Sequence, residues 1–135
     1  MYMAMKGKFV EPSDADFAKW EVQLRKGSLG LAVLASLWEG KLYGLEMLRK
    51  LEGTAGIAVP EGTIYPLLGR LKTQGYVESE WVEAEAGHPR KYYRLTAKGR
   101  SYAREIALTW LEFATGMNNL LAPLEDKAHG KRKAV

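Results

Sequence analysis

Few side chains in this sequence are placed for bond chemistry, whereas several are placed to hold a polyanion. There are two histidines, His88 and His129, and no cysteine, so no thiolate nucleophile or thiolate metal site exists. Neither histidine has partners at ligand spacing, and no Gly-rich phosphate loop, nucleophile elbow or inward pair of carboxylates occurs. An enzyme, a metal site and a cofactor are therefore not expected. The chain offers donors and cations at two places instead. In "VPEGTIYPLLGRL", residues 59–71, Thr63, Tyr65 and Arg70 flank a set of small residues, with Lys72 just beyond. In "GHPRKYYRLTAKGR", residues 87–100, His88, Arg90 and Lys91 gather near a turn, and no acid occurs from Gly87 to Arg104. Such groups bind phosphates and base edges.

The first stretch reads as a helix from about Glu61 to Gln74. At 100° per residue, Ile64, Leu67, Leu68 and Leu71 fall in one sector and Gly62, Pro66, Gly69 and Thr73 lie opposite. Glycine and proline are poor helix formers, so stability alone does not account for that second face. A helix that enters the major groove needs low bulk there and donors beside it: Arg70 for a guanine edge or a phosphate, Thr63 and Tyr65 for phosphates near the helix start. Taken alone, the pattern also fits a surface helix whose outer side drifted to small residues.

The positioning elements follow from hydrophobic period and caps. Residues 1–12 read as a mobile arm. Ser13 caps a helix with Asp14 and Asp16 in its first turn and a Phe17, Trp20, Leu24 stripe, ended by Gly27. A second, buried helix starts at Ser28 and stops at Gly40, and a third runs from about Tyr43 to Glu52. After the small-faced helix come strands at about 76–83 and 90–96. Glu78, Glu80, Glu83 and Glu85 lie on or beyond the first, and the basic residues lie on the second. That sorting fits a cationic wing along a phosphate backbone, or cross-strand Glu–Arg pairs that steady the ribbon. Tyr93 and Leu95 are expected in the core and Trp81 against the ribbon or neighbouring helices, with Tyr92 left open. Thr96 caps a last helix ended by Pro123, and residues 124–135 read as a flexible basic tail containing Lys131, Arg132 and Lys133. The whole is mainly α with a small β-hairpin: a winged helix-turn-helix over 13–96 that includes the N-terminal helix, followed by a C-terminal helix over 97–123.

"GSLGLAVLASLWEGKLYGLEMLRKL", "VPEGTIYPLLGRLKTQGYVESEW" and "GHPRKYYRLTAKGR" together resemble the PadR family of bacterial transcriptional regulators over about Lys26 to Arg104. The resemblance rests on Tyr43-Gly44, the run Gly62 to Pro66, Arg70-Leu71, Gly75, the run Tyr92 to Thr96, and Gly99. It implies a dimeric winged helix that binds double-stranded DNA, usually represses nearby genes, and releases DNA to an effector, often phenolic or otherwise aromatic. By position it makes the helix from Glu61 the recognition helix. Thr63, Tyr65 and Arg70 then fall at DNA contacts, Tyr43 close to the backbone, and Arg90 and Lys91 on the wing. The chain departs from the family pattern at Pro60, where a serine cap is common, and at Leu45, where a second aromatic is common.

In the last helix, apolar residues recur every three or four positions through Ala103, Ile106, Trp110, Phe113, Met117 and Leu120. The span, on the order of 37 Å, exceeds what a small winged body needs. The surplus predicts a homodimer, with Phe17, Trp20 and Leu24 packed on the partner's last helix and two reading helices set for a palindromic operator. Trp110 reads first as dimer core and second as the wall of a pocket for a flat aromatic effector. The rival to the regulator is a winged-helix dimer that binds proteins or senses ligands without reading DNA. A net charge of +4 over 135 residues suits an anionic partner without requiring one. No run is long and apolar enough for a membrane span, the stretch "MYMAMKGKFVEPS" lacks the apolar region and cleavage site of a secretory signal, and the missing cysteines suit a reducing cytoplasm.

Overall fold

The computed structural model describes residues 4–5, 8–9, 13–83 and 87–133, with side-chain exposure over 13–83 and 87–124. Its elements are β1 (Ala4–Met5), β2 (Lys8–Phe9), α1 (Asp14–Ser36), β3 (Leu42–Tyr43), α2 (Gly44–Ala55), α3 (Glu61–Thr73), β4 (Val77–Val82), β5 (Arg90–Leu95) and α4 (Ala97–Lys133). The helices and the sheet meet in one core. Val33, Leu34 and Leu37 come from α1 and the turn after it, Met47 and Leu51 from α2, and Ile64, Leu67, Leu68 and Leu71 from α3. Val77, Tyr93, Leu95 and Ala103 close the core from the sheet and α4.

Four expectations need correction. The two helices expected on either side of Gly27 are one. Ser28 does not cap a new helix, because its hydroxyl donates back to the Leu24 carbonyl at 2.8 Å inside α1. A mid-helix glycine costs only about 1 kcal/mol, and the buried C-terminal half of α1 outweighs that. At the far end, α4 runs through Pro123 to Lys133, so the helix does not stop there and the expected tail is helical backbone as far as Lys133, with 134–135 outside the described residues. A proline removes one backbone bond and crowds the carbonyl four residues back, which an exposed helix can absorb by bending into water. Within the expected arm, residues 4–5 pair antiparallel with 8–9, and the rest of 1–12 lies outside the described residues, as does Glu85. A strand over Leu42–Tyr43 was not anticipated. Two residues carry no period to read, but they pair with Tyr93 and Tyr92 of β5 and make the sheet three-stranded in the order β3-β5-β4.

Local chemistry explains the boundaries. The Ser13 hydroxyl accepts from the Ala15 and Asp16 amides at 3.1 and 3.4 Å, opening α1. Tyr43 is the residue before α2, and its amide donates to the Glu46 carboxylate at 3.1 Å. Gly56 closes α2 in the left-handed region, with φ of 67°. The root of α4 is tied to the start of the hairpin. The Thr96 hydroxyl donates to the Gly75 carbonyl at 2.6 Å and accepts from the Gly99 amide at 2.9 Å. The Thr96 amide donates to the Tyr76 carbonyl at 3.1 Å. Gly99 is buried, and a Cβ there would collide with the Tyr76 carbonyl oxygen. Because the obstacle is backbone, Gly99→Ala is expected to lower stability by about 1–3 kcal/mol, seen as an earlier thermal unfolding midpoint by circular dichroism.

Candidate nucleic-acid interface

The α3 helix has two unlike faces in the structure. Ile64, Leu67, Leu68 and Leu71 are buried, while Gly62, Pro66, Gly69 and Thr73 are all exposed. The helix starts at Pro60, which lacks a side-chain acceptor for the first amides. Among the described residues, a Cβ added at Gly62 or Gly69 meets nothing within 4 Å. Neither glycine has a positive φ. The chain's own packing and backbone therefore require neither glycine. Thr73 turns its hydroxyl back to the Gly69 carbonyl at 3.0 Å, which keeps the face slim.

Side chains flanking this face differ in how they are held. Thr63 and Arg70 are exposed on the flank nearer α1 and line a groove of about 520 Å³ with Arg25, Lys26 and Leu29. Tyr65 is half exposed on the other flank, and its ring lies over Gly44 so closely that a Cβ there would overlap the phenol. That contact gives a packing reason for glycine at the first residue of α2. Lys72 is directed at the wing root, where its ammonium donates to the Ser79 hydroxyl at 2.9 Å.

The hairpin sorts its charges by face. In the β4–β5 register Glu78 stands opposite Arg94, Glu80 opposite Tyr92, and Val82 opposite Arg90. Arg94 bonds Glu78 at 2.8 Å and Glu80 at 3.0 Å, and Lys41 bonds Glu80 at 3.2 Å. Glu78 and Glu80 hold the Arg94 pKa above its ordinary value. Arg90 lies with its guanidinium 4.5 Å from the centre of the Tyr43 ring, which meets Tyr92 edge-on at 5.4 Å. The ring of Tyr43 thus joins the start of α2 to the cationic strand. His88 is exposed beside the turn. Lys91 lies on the opposite ribbon face, its ammonium 5.7 Å from the Trp81 ring and 5.9 Å from Tyr93. Burial, and then Tyr65, push the Tyr93 phenol above its ordinary pKa. Tyr93 and Leu95 pack inward as expected; Trp81 meets Lys91 of the ribbon, but 66% of it is exposed. It shares a face with buried Val77 and half-buried Ser79, and exposure on that face rises outward along β4. Period gives the face, not the distance to cover.

Apolar residues expected at a dimer interface divide into two groups. Phe17 and Trp20 are each 57% exposed, Leu24 45%, Phe113 59% and Leu120 75%; Trp110 and Met117 are over a third exposed. Ala103 is instead buried in the chain's own core, and Ile106 packs against it, because the first turns of α4 cover the winged body. Trp110 and Phe113 line a cavity of about 470 Å³ between α1 and α4.

The Transcriptional regulator PadR-like family model matches residues 33–105, more than half of the chain. This chain belongs to the PadR-like family of transcriptional regulators. A PadR-like transcription factor of Bacteroides fragilis is 39% identical, with a TM-score of 0.63 over 76% of this chain and 98% of that one. A PadR family transcriptional regulator of Eggerthella lenta is 36% identical, with a TM-score of 0.68 over 80% and 94%. A PadR-like transcriptional regulator of Bacillus cereus is 35% identical, with a TM-score of 0.67 over 73% and 96%. An uncharacterised protein of Lysinibacillus sphaericus is 28% identical over 89 residues, which are 64% of this chain and 82% of that one. The family is one of regulators, not of enzymes. Among the described residues, no helix is long and apolar enough to cross a membrane.

The glycines of α3 separate folding from recognition. Gly69→Ala is expected to stabilise the PadR-like chain by about 0.5–1 kcal/mol, raising its melting midpoint, while weakening its retention of DNA in a mobility-shift titration. A variant that melts later and binds as tightly as the parent would show that nothing approaches this face.

Proposed function

We propose that this PadR-like regulator is a cytoplasmic homodimer that reads a palindromic double-stranded operator through α3 and the wing, represses the adjacent gene, and lets go when a small aromatic or phenolic effector binds. One observation carries the reading of DNA. The outer face of α3 is open, and it holds two glycines that the chain's own packing does not need. Helix propensity given up without internal benefit points to an outside surface that must come close.

Each flanking group has a part. Thr63 and Tyr65 donate to phosphates beside the helix start, and Arg70 addresses a guanine edge or a phosphate. Tyr43 presents the start of α2 to the backbone and steadies Arg90, while His88, Arg90 and Lys91 follow the phosphates of the neighbouring groove. Lys72, already bonded to Ser79, reaches DNA only by leaving that hydroxyl. Support for a dimer comes from the large apolar side chains left exposed in two groups, Phe17, Trp20 and Leu24 on α1 and Phe113, Met117 and Leu120 on α4. Support for an effector is narrower. Trp110 faces a cavity of about 470 Å³, a volume suited to a small aromatic, on the stripe that the dimer would cover.

A salt series on the gene's own upstream region tests the reading. Steep, sequence-selective retention supports it, whereas equal, weak binding to any duplex supports a protein-binding or ligand-sensing dimer instead. Arg70→Ala is expected to relax sequence preference, and Arg90→Ala to weaken all sequences alike. Light scattering is expected to give twice the 15.1 kDa chain mass. Leu120→Glu is expected to halve that mass and to abolish tight operator binding while leaving the wing domain folded.

A further inference from the structure

Trp81 has no cover of its own. It is the most exposed aromatic among the described residues, at 66%, and it stands on β4, an edge strand of the sheet. The residues sharing its ribbon face are Val77 and Ser79 on β4 and Lys91, Tyr93 and Leu95 on β5. At the inner end Val77, Tyr93 and Leu95 are buried against the helices, and Ser79 accepts from Lys72 of α3 at 2.9 Å. Trp81 is the next residue outward on that face, about 7 Å further along the strand. Lys91 faces it across the ribbon with its ammonium 5.7 Å from the indole. Within the paired strands this face holds a cation and no acid. Both strand acids, Glu78 and Glu80, lie on the other face in ion pairs with Arg94 and Lys41.

A surface that begins at the recognition helix and ends in an indole beside an ammonium fits one kind of partner. A duplex backbone alternates apolar sugar faces with phosphates, and sugar and phosphate contacts set register without reading sequence. We propose that Trp81 is a DNA-contacting residue of the wing, its indole laid against a deoxyribose while Lys91 holds the neighbouring phosphate. The proposal rests on the DNA-binding reading above and adds a residue to it. Its contribution is independent of base sequence.

The test uses the full chain with two duplexes of equal length, the gene's own upstream region and a scrambled version, each titrated over a range of salt. Trp81→Ala is expected to lose about tenfold in affinity for both duplexes, equivalent to roughly 55 Å² of apolar contact, with the salt slope unchanged. Trp81→Phe is expected to keep most of the affinity. Lys91→Ala is expected to reduce the salt slope by about one. Because Trp81 is exposed, the melting midpoint of its variants should match the parent. Wild-type affinity in Trp81→Ala would overturn the contact. A fall in salt slope in that variant would also overturn it, since the indole would then act only by placing Lys91. Failure of the parent protein to retain either duplex would instead bring down the DNA reading, and this inference with it.

Discussion

The burial of Ile64, Leu67, Leu68 and Leu71 is the constraint on which the remainder of the molecule turns. These four side chains hold α3 to the core so firmly that its opposite face can be built from residues no free helix would favour. Two glycines and a proline within thirteen residues would leave an isolated peptide largely unfolded. Held by its inner face, the same segment stays helical and presents little more than backbone outward. Anchoring on one side is what permits bareness on the other.

The second organising feature is the way the hairpin is fixed at its root. Thr96 ties the start of α4 to Gly75 and Tyr76, while Lys72 ties α3 to Ser79. The α3 helix, the ribbon and the last helix therefore share one small junction, closed by stacking of Tyr76 on Tyr102 at 4.1 Å. On the outer ribbon face Arg94 bonds two carboxylates, so that Glu78 and Glu80 are both paired with a cation. These exposed pairs add little stability at ordinary salt. They offset the negative charge of the first ribbon strand.

Much of this was legible from residue types and spacing. The period of α3 gave both of its faces, the Gly-His-Pro turn gave the hairpin, and Ser13 and Gly75 gave ends of elements. The misreadings have a common physical origin. Gly27-Ser28 and Pro123 carry the local chemistry of helix breaks, but a long-range packing face or a free, hydrated carbonyl can override a penalty of one to a few kcal/mol. Trp81 and Ala103 show the complementary limit. Alternation assigns a side chain to a face, and only the layout of the layers decides whether that face is covered at that point. Ala103 falls where α4 still lies on the winged body, whereas Trp81, on the same face as buried Val77, is left exposed.

The continuity of α1 matters mechanically. With no break at Gly27, its twenty-three residues form one rod of roughly 35 Å. Val33 and Leu34 are embedded at one end, and Phe17 and Trp20 stand in solvent at the other. A rod without a joint transmits tilt rather than absorbing it. Any load on its outer aromatics becomes torque on the core beneath α3, with leverage set by the distance between grip and pivot.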